Sequence, residues 1–174
     1  MFSEWQSDYD MICEQYPNIE FDKKLRDDNF NSLSHVQRNI LVLDDQMCVA
    51  SSSLSVADLF TRLSHHRNVT VIYFVQNVYT YGTCERTIFL NSQYSVVFRN
   101  GRDASQFRTM AYQICSNSSN WLIDYFTDAT CKPYGYMVLD HHSSTPENQT
   151  VVTNILPGKQ LTYYIKTNPP FKRY

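Results

Sequence analysis

The chain has 174 residues, which is enough for one domain with a hydrophobic core. Hydrophobic residues make up 43% of it and aromatic residues 14%, a composition that argues against disorder over most of its length. The net charge of -2 excludes a globally basic surface, so nucleic-acid binding would need a local cluster of Lys and Arg.

The five cysteines are odd in number and widely spaced, without a CxxC or Cys/His cluster of the kind that binds zinc. We therefore expect reduced thiols in an intracellular protein. The N-terminal sequence MFSEWQSDYD is polar and acidic, which is not the pattern of a signal peptide. No apolar run approaches the roughly 20 residues of a membrane helix, so no membrane partner is expected.

The first half of the chain is predicted to alternate helices with buried strands. Apolar residues at helical spacing predict a helix over 4–16, which Pro17 ends. The further elements predicted are a short strand at 18–21, a loop at 22–34, a strand at 39–45, a helix at 53–64 and a strand at 69–77.

The second half continues the pattern with a strand at 94–98, a helix from Asp103 to about Cys115, a helix at 120–130, and strands at 134–140 and 149–156. Strands that alternate with helices predict an α/β fold, with a mostly parallel central sheet covered by helices on both faces. Ligands bind beyond the C-terminal ends of the strands in such sheets, so the residues at those ends are the candidates for chemistry.

The first buried strand ends in the acidic pair Asp44-Asp45. An apolar strand followed by two carboxylates is the Walker B pattern, in which one carboxylate orders Mg²⁺ and its neighbour polarises the attacking water. Mg²⁺ prefers oxygen ligands, which is why carboxylates suit this place. The alternative interpretation is a solvated turn after a buried strand.

Polar residues also follow the next two strands. Gln76-Asn77 could hydrogen-bond a γ-phosphate or the attacking water, or simply form a turn. Arg99 and Arg102 flank a Gly turn and could reach phosphate oxygens, or form a surface salt bridge to Asp103. The adjacent pairs His65-His66 and His141-His142 are interpreted as loops rather than metal ligands.

The order of these features resembles the packaging ATPases of Maverick/Polinton elements and related double-stranded DNA viruses, which belong to the FtsK/HerA branch of P-loop ATPases. The runs that carry the resemblance are NILVLDD (39–45), LFTRLSHHRN (59–68), VIYFVQN (71–77), RTIFLN (86–91), YSVVFRNGRD (94–103) and YGYMVLD (134–140). The SHHRN block followed by a strand that ends in Gln-Asn is the most specific part.

The resemblance implies roles for individual residues. Asp44 would be the Walker B magnesium residue, Asp45 the catalytic carboxylate and Gln76 the polar sensor, with Asn77 beside the nucleotide. The candidates for an arginine finger are Arg62, Arg67, Arg99 and Arg102. The implied cofactors are Mg²⁺ and ATP, and the implied partners are double-stranded DNA, a capsid portal or vertex, and further copies of the chain in a ring. The implied location is the host nucleus or cytoplasm, or the virion.

The pattern lacks one essential part. A phosphate-binding loop needs GxxxxGK[ST], and of the four glycines only Gly158 precedes a lysine. Residues 1–160 are therefore expected to be a truncated P-loop domain without its first strand and P-loop, and 161–174 a C-terminal tail. The open alternatives are a motor component that is inactive alone, a non-enzymatic remnant or interaction module, and an unrelated α/β domain with an accidental Asp-Asp pair.

Overall fold

The computed structural model describes residues 7–22, 37–44, 54–63, 68–77, 83–102, 105–115 and 119–165. The chain divides into two compact units, Met1–Asn91 and Ser92–Tyr174. Each unit has its own sheet: a parallel pair of strands in the first, and four antiparallel strands in the second. Among the described helices, none combines the length and the hydrophobicity that crossing a membrane needs.

The first unit contains helix α1 (Ser7–Gln15), strand β1 (Asn39–Leu43), helix α2 (Leu54–Asp58), a π-helical turn (Leu59–Leu63), strand β2 (Val69–Tyr73) and helix α3 (Thr83–Asn91). β1 and β2 are parallel, and Leu43 is in register with Tyr73. In the helical segment that connects β1 to β2, Thr61 Oγ1 donates a hydrogen bond to the Ala57 carbonyl over 3.1 Å.

One face of the β1–β2 sheet holds the core of this unit. Successive side chains of a strand point to opposite faces, and Leu41 and Leu43 share a face with Val71 and Tyr73. Leu43 is fully buried against Val56, Leu59 and Ile88, which come from α2, the π-helical turn and α3. The helical segments therefore cover this face of the two strands.

The opposite face of the same sheet is apolar and exposed. Ile40 is 70% exposed, Ile72 42% and Phe74 53%. Parallel sheets are normally covered on both faces. The prediction that both faces of β1 and β2 are covered by helices therefore holds for one face only among the described residues.

The second unit contains strand β3 (Tyr94–Phe98), helix α4 (Ser105–Ile114), helix α5 (Asn120–Ala129), strand β4 (Tyr136–Asp140), a 3₁₀ turn (Glu147–Gln149), strand β5 (Val151–Thr153) and strand β6 (Thr162–Tyr163). The strand order is β3-β4-β5-β6. β4 is the central strand, and its residues 136–139 are all buried.

The predicted mostly parallel sheet is wrong for this second unit. β3 with β4, β4 with β5, and β5 with β6 are all antiparallel pairs. The physical reason is visible between β4 and β5, where ten residues join the strands, and a parallel crossover needs a dozen or more. The fold is therefore mixed α/β, with the parallel arrangement confirmed for β1 and β2 alone.

Three further differences concern single elements. Helix α3 was not among the predicted elements. The segment 18–21, predicted as a short strand, has no strand structure. Residues 161–165, predicted to begin a tail, include β6, whose Thr162 pairs with Thr153 of β5. The Tyr125 hydroxyl also donates to the Ile165 carbonyl over 2.8 Å, which ties this segment to α5.

Candidate functional site

Asp44 directly follows the last residue of β1, at the C-terminal end of the parallel pair. The register continues one step past the strands, because the Phe74 amide donates to the Leu43 carbonyl over 2.9 Å. Asp44 is half-buried. This is the edge of a parallel sheet where ligands bind in α/β proteins.

Tyr9 of α1 contacts this carboxylate. Its hydroxyl donates a hydrogen bond to Asp44 Oδ2 over 3.3 Å, and its ring lies 5.0 Å from the Phe21 ring, centroid to centroid. Partial burial, followed by the negative charge of Asp44, raises the pKa of the Tyr9 hydroxyl above its ordinary value of 10.0. Tyr9 therefore remains a neutral donor at physiological pH and orients the Asp44 side chain.

Gln76 and Asn77 follow β2 at the same edge of the sheet. Gln76 is exposed and Asn77 is half-buried. Since β1 and β2 are parallel and in register, both strands end at one edge, with Asp44 one residue beyond β1 and Gln76 three residues beyond β2. The sheet therefore brings one carboxylate and two amide side chains to the same end of the first unit.

The arginine candidates are placed separately. Arg99 and Arg102 are exposed in the turn after β3, in the second unit, and the Arg102 amide donates to Asn100 Oδ1 over 3.0 Å. Asp45 and Arg67 lie outside the described residues, as does Asp103, the expected salt-bridge partner. Arg62 falls within the π-helical turn, but its side chain is outside the described part.

The donors at the edge of the β1–β2 sheet fit part of a hydrated magnesium site. Carboxylate and amide oxygens are ligands that Mg²⁺ accepts, and the ion usually keeps several waters, so one carboxylate from the protein is compatible with it. In the described residues no group of three or more His, Cys, Asp or Glu side chains could hold a metal by itself.

A second polar cluster follows β4 in the second unit. The Ser95 hydroxyl and His141 Nε2 share a hydrogen bond of 3.0 Å, and Asp140 accepts from the His142 amide and from Thr145 Oγ1, both over 2.8 Å. Partial burial lowers the pKa of His141 below its ordinary 6.5, and the Asp140 charge opposes that shift. The residues form a capped turn, and His141-His142 lie in a loop, as the sequence predicted.

Sequence reasoning did not single out Tyr9 or Ser95. Tyr9 belongs to the apolar repeat of α1, and nothing in that repeat signals a hydrogen bond to a residue 35 positions away. Ser95 alternates with apolar residues in β3, and its contact with His141 depends on the antiparallel pairing with β4. Both contacts become visible only when the elements are packed.

No known protein-family model, curated protein or solved structure matches this chain.

Proposed function

We propose that this chain is part of an ATP-driven motor that packages viral or virus-like DNA, and that it carries the Walker B, sensor and arginine-finger portion. The observation that supports the proposal best is that Asp44 and Gln76 follow neighbouring parallel strands at one edge of a sheet. That arrangement is the one that nucleotide hydrolysis by a P-loop ATPase would need. We also propose that the chain folds as a partial P-loop domain.

In this proposal Asp44 would hold the magnesium ion, usually through water, and Mg²⁺ would neutralise the charge of the nucleotide phosphates. Tyr9 would keep the Asp44 carboxylate oriented through its hydrogen bond. Asp45 would polarise the attacking water, and Gln76 would orient it, with Asn77 beside the nucleotide. Arg67, Arg99 or Arg102 would approach the phosphates of a neighbouring subunit in a ring around duplex DNA.

The chain by itself is expected to be inactive. GxxxxGK[ST] is absent from its sequence, so the backbone amides and the lysine that cradle the β- and γ-phosphates are missing. The second candidate function, a non-enzymatic remnant or interaction module of the same origin, rests on that same absence. Only the packaging-motor candidate implies that the chain is expressed in a host nucleus or cytoplasm and contacts a capsid vertex.

The decisive experiment begins with the genomic DNA upstream of the coding sequence. If the frame continues into a strand followed by GxxxxGK[ST], the longer chain is expected to hydrolyse ATP with Mg²⁺, and Asp44→Ala is expected to abolish that turnover. Asp124→Ala is the matched control, because Asp124 is an exposed carboxylate on α5. Unrelated upstream sequence would favour the remnant, and turnover that survives Asp44→Ala would rule out the Walker B role.

The 174-residue chain provides the complementary measurement. Purified alone, it is expected to show no phosphate release above a heat-denatured control. Magnesium-dependent turnover by this chain that Asp44→Ala abolishes would show that the missing P-loop is not needed, and would contradict the proposal as stated.

A further inference from the structure

Strand β3 forms one edge of the four-stranded sheet of the second unit, and its outer backbone groups face away from β4. The His141 amide donates to the Gln93 carbonyl over 2.8 Å. Gln93 and His141 are therefore a hydrogen-bonded pair. In an antiparallel ladder every second residue belongs to such a pair, so counting in twos from Gln93 gives the residues of β3 that bond to β4. Ser95 and Val97 direct their backbone groups toward β4, whereas the groups of residues 94, 96 and 98 point away from it, to the edge where no further strand pairs among the described residues.

The side chains of the same three residues are exposed and apolar. Tyr94 is 58% exposed, Val96 50% and Phe98 57%. Edge strands are usually protected by charged residues, proline or a bulge. The five residues of β3, YSVVF, contain no charge and no proline, and their register with β4 is continuous. β3 therefore has none of these three protective features.

The opposite edge of this sheet differs. β6 has two residues, Thr162 and Tyr163, and so offers a short edge. A short edge strand is one of the ways in which proteins avoid edge-to-edge pairing. Strand addition to this sheet is therefore expected at β3 rather than at β6.

We propose that β3 pairs with β3 of a second copy of this chain, in antiparallel orientation and centred on Val96. This interface does not rest on the proposed ATPase role. In that register Val96 lies opposite Val96 of the second copy, and Tyr94 lies opposite Phe98 of the second copy. These are the residues whose backbone groups point outward, so three bonded pairs form and exchange about six hydrogen bonds. The two four-stranded sheets become one continuous antiparallel sheet.

The side chains favour a second copy as the occupant. Tyr94 and Phe98 meet twice across the two-fold axis, and aromatic pairs directly across strands are stabilising. Ser95 lies opposite Val97 on the other face, and Gln93 lies opposite Arg99 at the ends, so no like charges meet along the seven paired positions. A two-fold interface must be self-complementary in this way.

The wild-type chain provides the first test. The interface uses one short strand from each copy, so weak association is expected, in the range of about 10 to 500 µM. Sedimentation equilibrium should show the mass rising with concentration from 20.4 kDa toward about twice that value. A mass that stays monomeric throughout this range would overturn the proposal.

Amide hydrogen exchange locates the interface without any substitution. The amides of Tyr94, Val96 and Phe98 should exchange more slowly as the concentration rises, because they bond to the second copy in the dimer and to no described residue of β4 in the monomer. The amides of Ser95 and Val97 are the internal control, since they bond to β4 in the monomer and in the dimer alike. Dimerisation without added protection at the three outer amides would place the interface elsewhere and contradict the proposal.

Charge substitutions at the centre of the interface test the register. Val96→Lys or Val96→Glu alone should abolish the dimer, since like charges would meet at the two-fold axis. An equimolar mixture of the two variants should restore a heterodimer. Tyr112→Lys is the matched control, because Tyr112 is 52% exposed on α4 of the same unit. If the single variants dimerise like wild type, or if the mixture stays monomeric, the Val96-centred register is wrong.

Discussion

Tyr9 and Asp44 are joined by a hydrogen bond of 3.3 Å, in which the phenol donates to Oδ2 of the carboxylate. The contact connects α1 to the C-terminal end of β1, across 35 positions of sequence. It gives the candidate magnesium residue a fixed neighbour that is neutral at physiological pH. The same contact couples the orientation of Asp44 to the packing of α1.

We expect Tyr9→Phe to destabilise the first unit slightly, by about 0.5 to 1 kcal/mol, because the bond is long and only partly buried. The pKa of Tyr9 is higher in the folded protein than in the unfolded chain. The neutral phenol therefore stabilises the fold fully below pH 10.0, and this stabilisation is lost as the pH rises through the pKa of the folded protein. Urea unfolding of both proteins at neutral and at alkaline pH measures this. If wild type exceeds Tyr9→Phe in unfolding free energy by the same amount at alkaline pH as at neutral pH, the raised pKa of Tyr9 is contradicted.

The two faces of β1 should respond differently to truncation. Leu43→Ala removes a fully buried side chain and is expected to cost about 2 to 5 kcal/mol of unfolding free energy. Ile40→Ala is the matched control on the same strand, where the side chain is 70% exposed, and little loss is expected. Chemical denaturation of both variants checks the difference. Equal losses would mean that the Ile40 face is also covered.

Gly135 is expected to tolerate no side chain. A Cβ at this position would lie 2.5 Å from the Ala129 carbonyl oxygen and 2.9 Å from that of Lys132, and both are backbone atoms that cannot rotate away. Gly135→Ala should therefore destabilise the second unit by about 2 to 3 kcal/mol. Gly101→Ala, where a Cβ meets nothing within 4 Å, is the control and should be nearly neutral. Thermal unfolding of the two variants distinguishes them.

His141 should make the second unit sensitive to mild acid. The pKa of His141 in the folded protein is below its ordinary 6.5. The neutral imidazole therefore stabilises the fold fully above pH 6.5, and this stabilisation is lost as the pH falls through the pKa of the folded protein. His141→Gln should therefore lose less stability than wild type between about pH 7 and pH 5. Titration of the His141 ring by NMR measures its pKa in the folded protein. A titration midpoint above pH 6.5 would show that the pKa is not lowered and would contradict this prediction.

Several elements could be predicted from the sequence because their physical signal is local. The strands predicted at 39–45, 69–77 and 94–98 are observed over 39–43, 69–73 and 94–98. Of the four residues expected on one face of the helix that is now α4, Phe107, Met110 and Ala111 are buried and Ile114 is 38% exposed. The position of Asp44 after β1 follows in the same way, since a polar residue ends an apolar run. The existence of these three strands and of the helix is confirmed.

Strand direction has no comparable local signal. A buried strand in a parallel sheet and a central strand of an antiparallel sheet are both continuous apolar runs, so β4 was compatible with either. The short connection between β4 and β5 is the one sequence feature that indicates an antiparallel pair, because a parallel crossover would not fit in ten residues. The open edge of β3 depends on that pairing.

The sequence by itself determined where the apolar runs lie and that Asp44 and Gln76 follow two of them, because hydrophobic periodicity and chain order are local properties. Only the tertiary structure decided that these two runs are parallel neighbours, that Tyr9 contacts Asp44, and that β3 lies at a sheet edge. Those facts arise from contacts between residues far apart in the chain. The free energy of those contacts depends on which surfaces are buried together, and no short stretch of sequence specifies that.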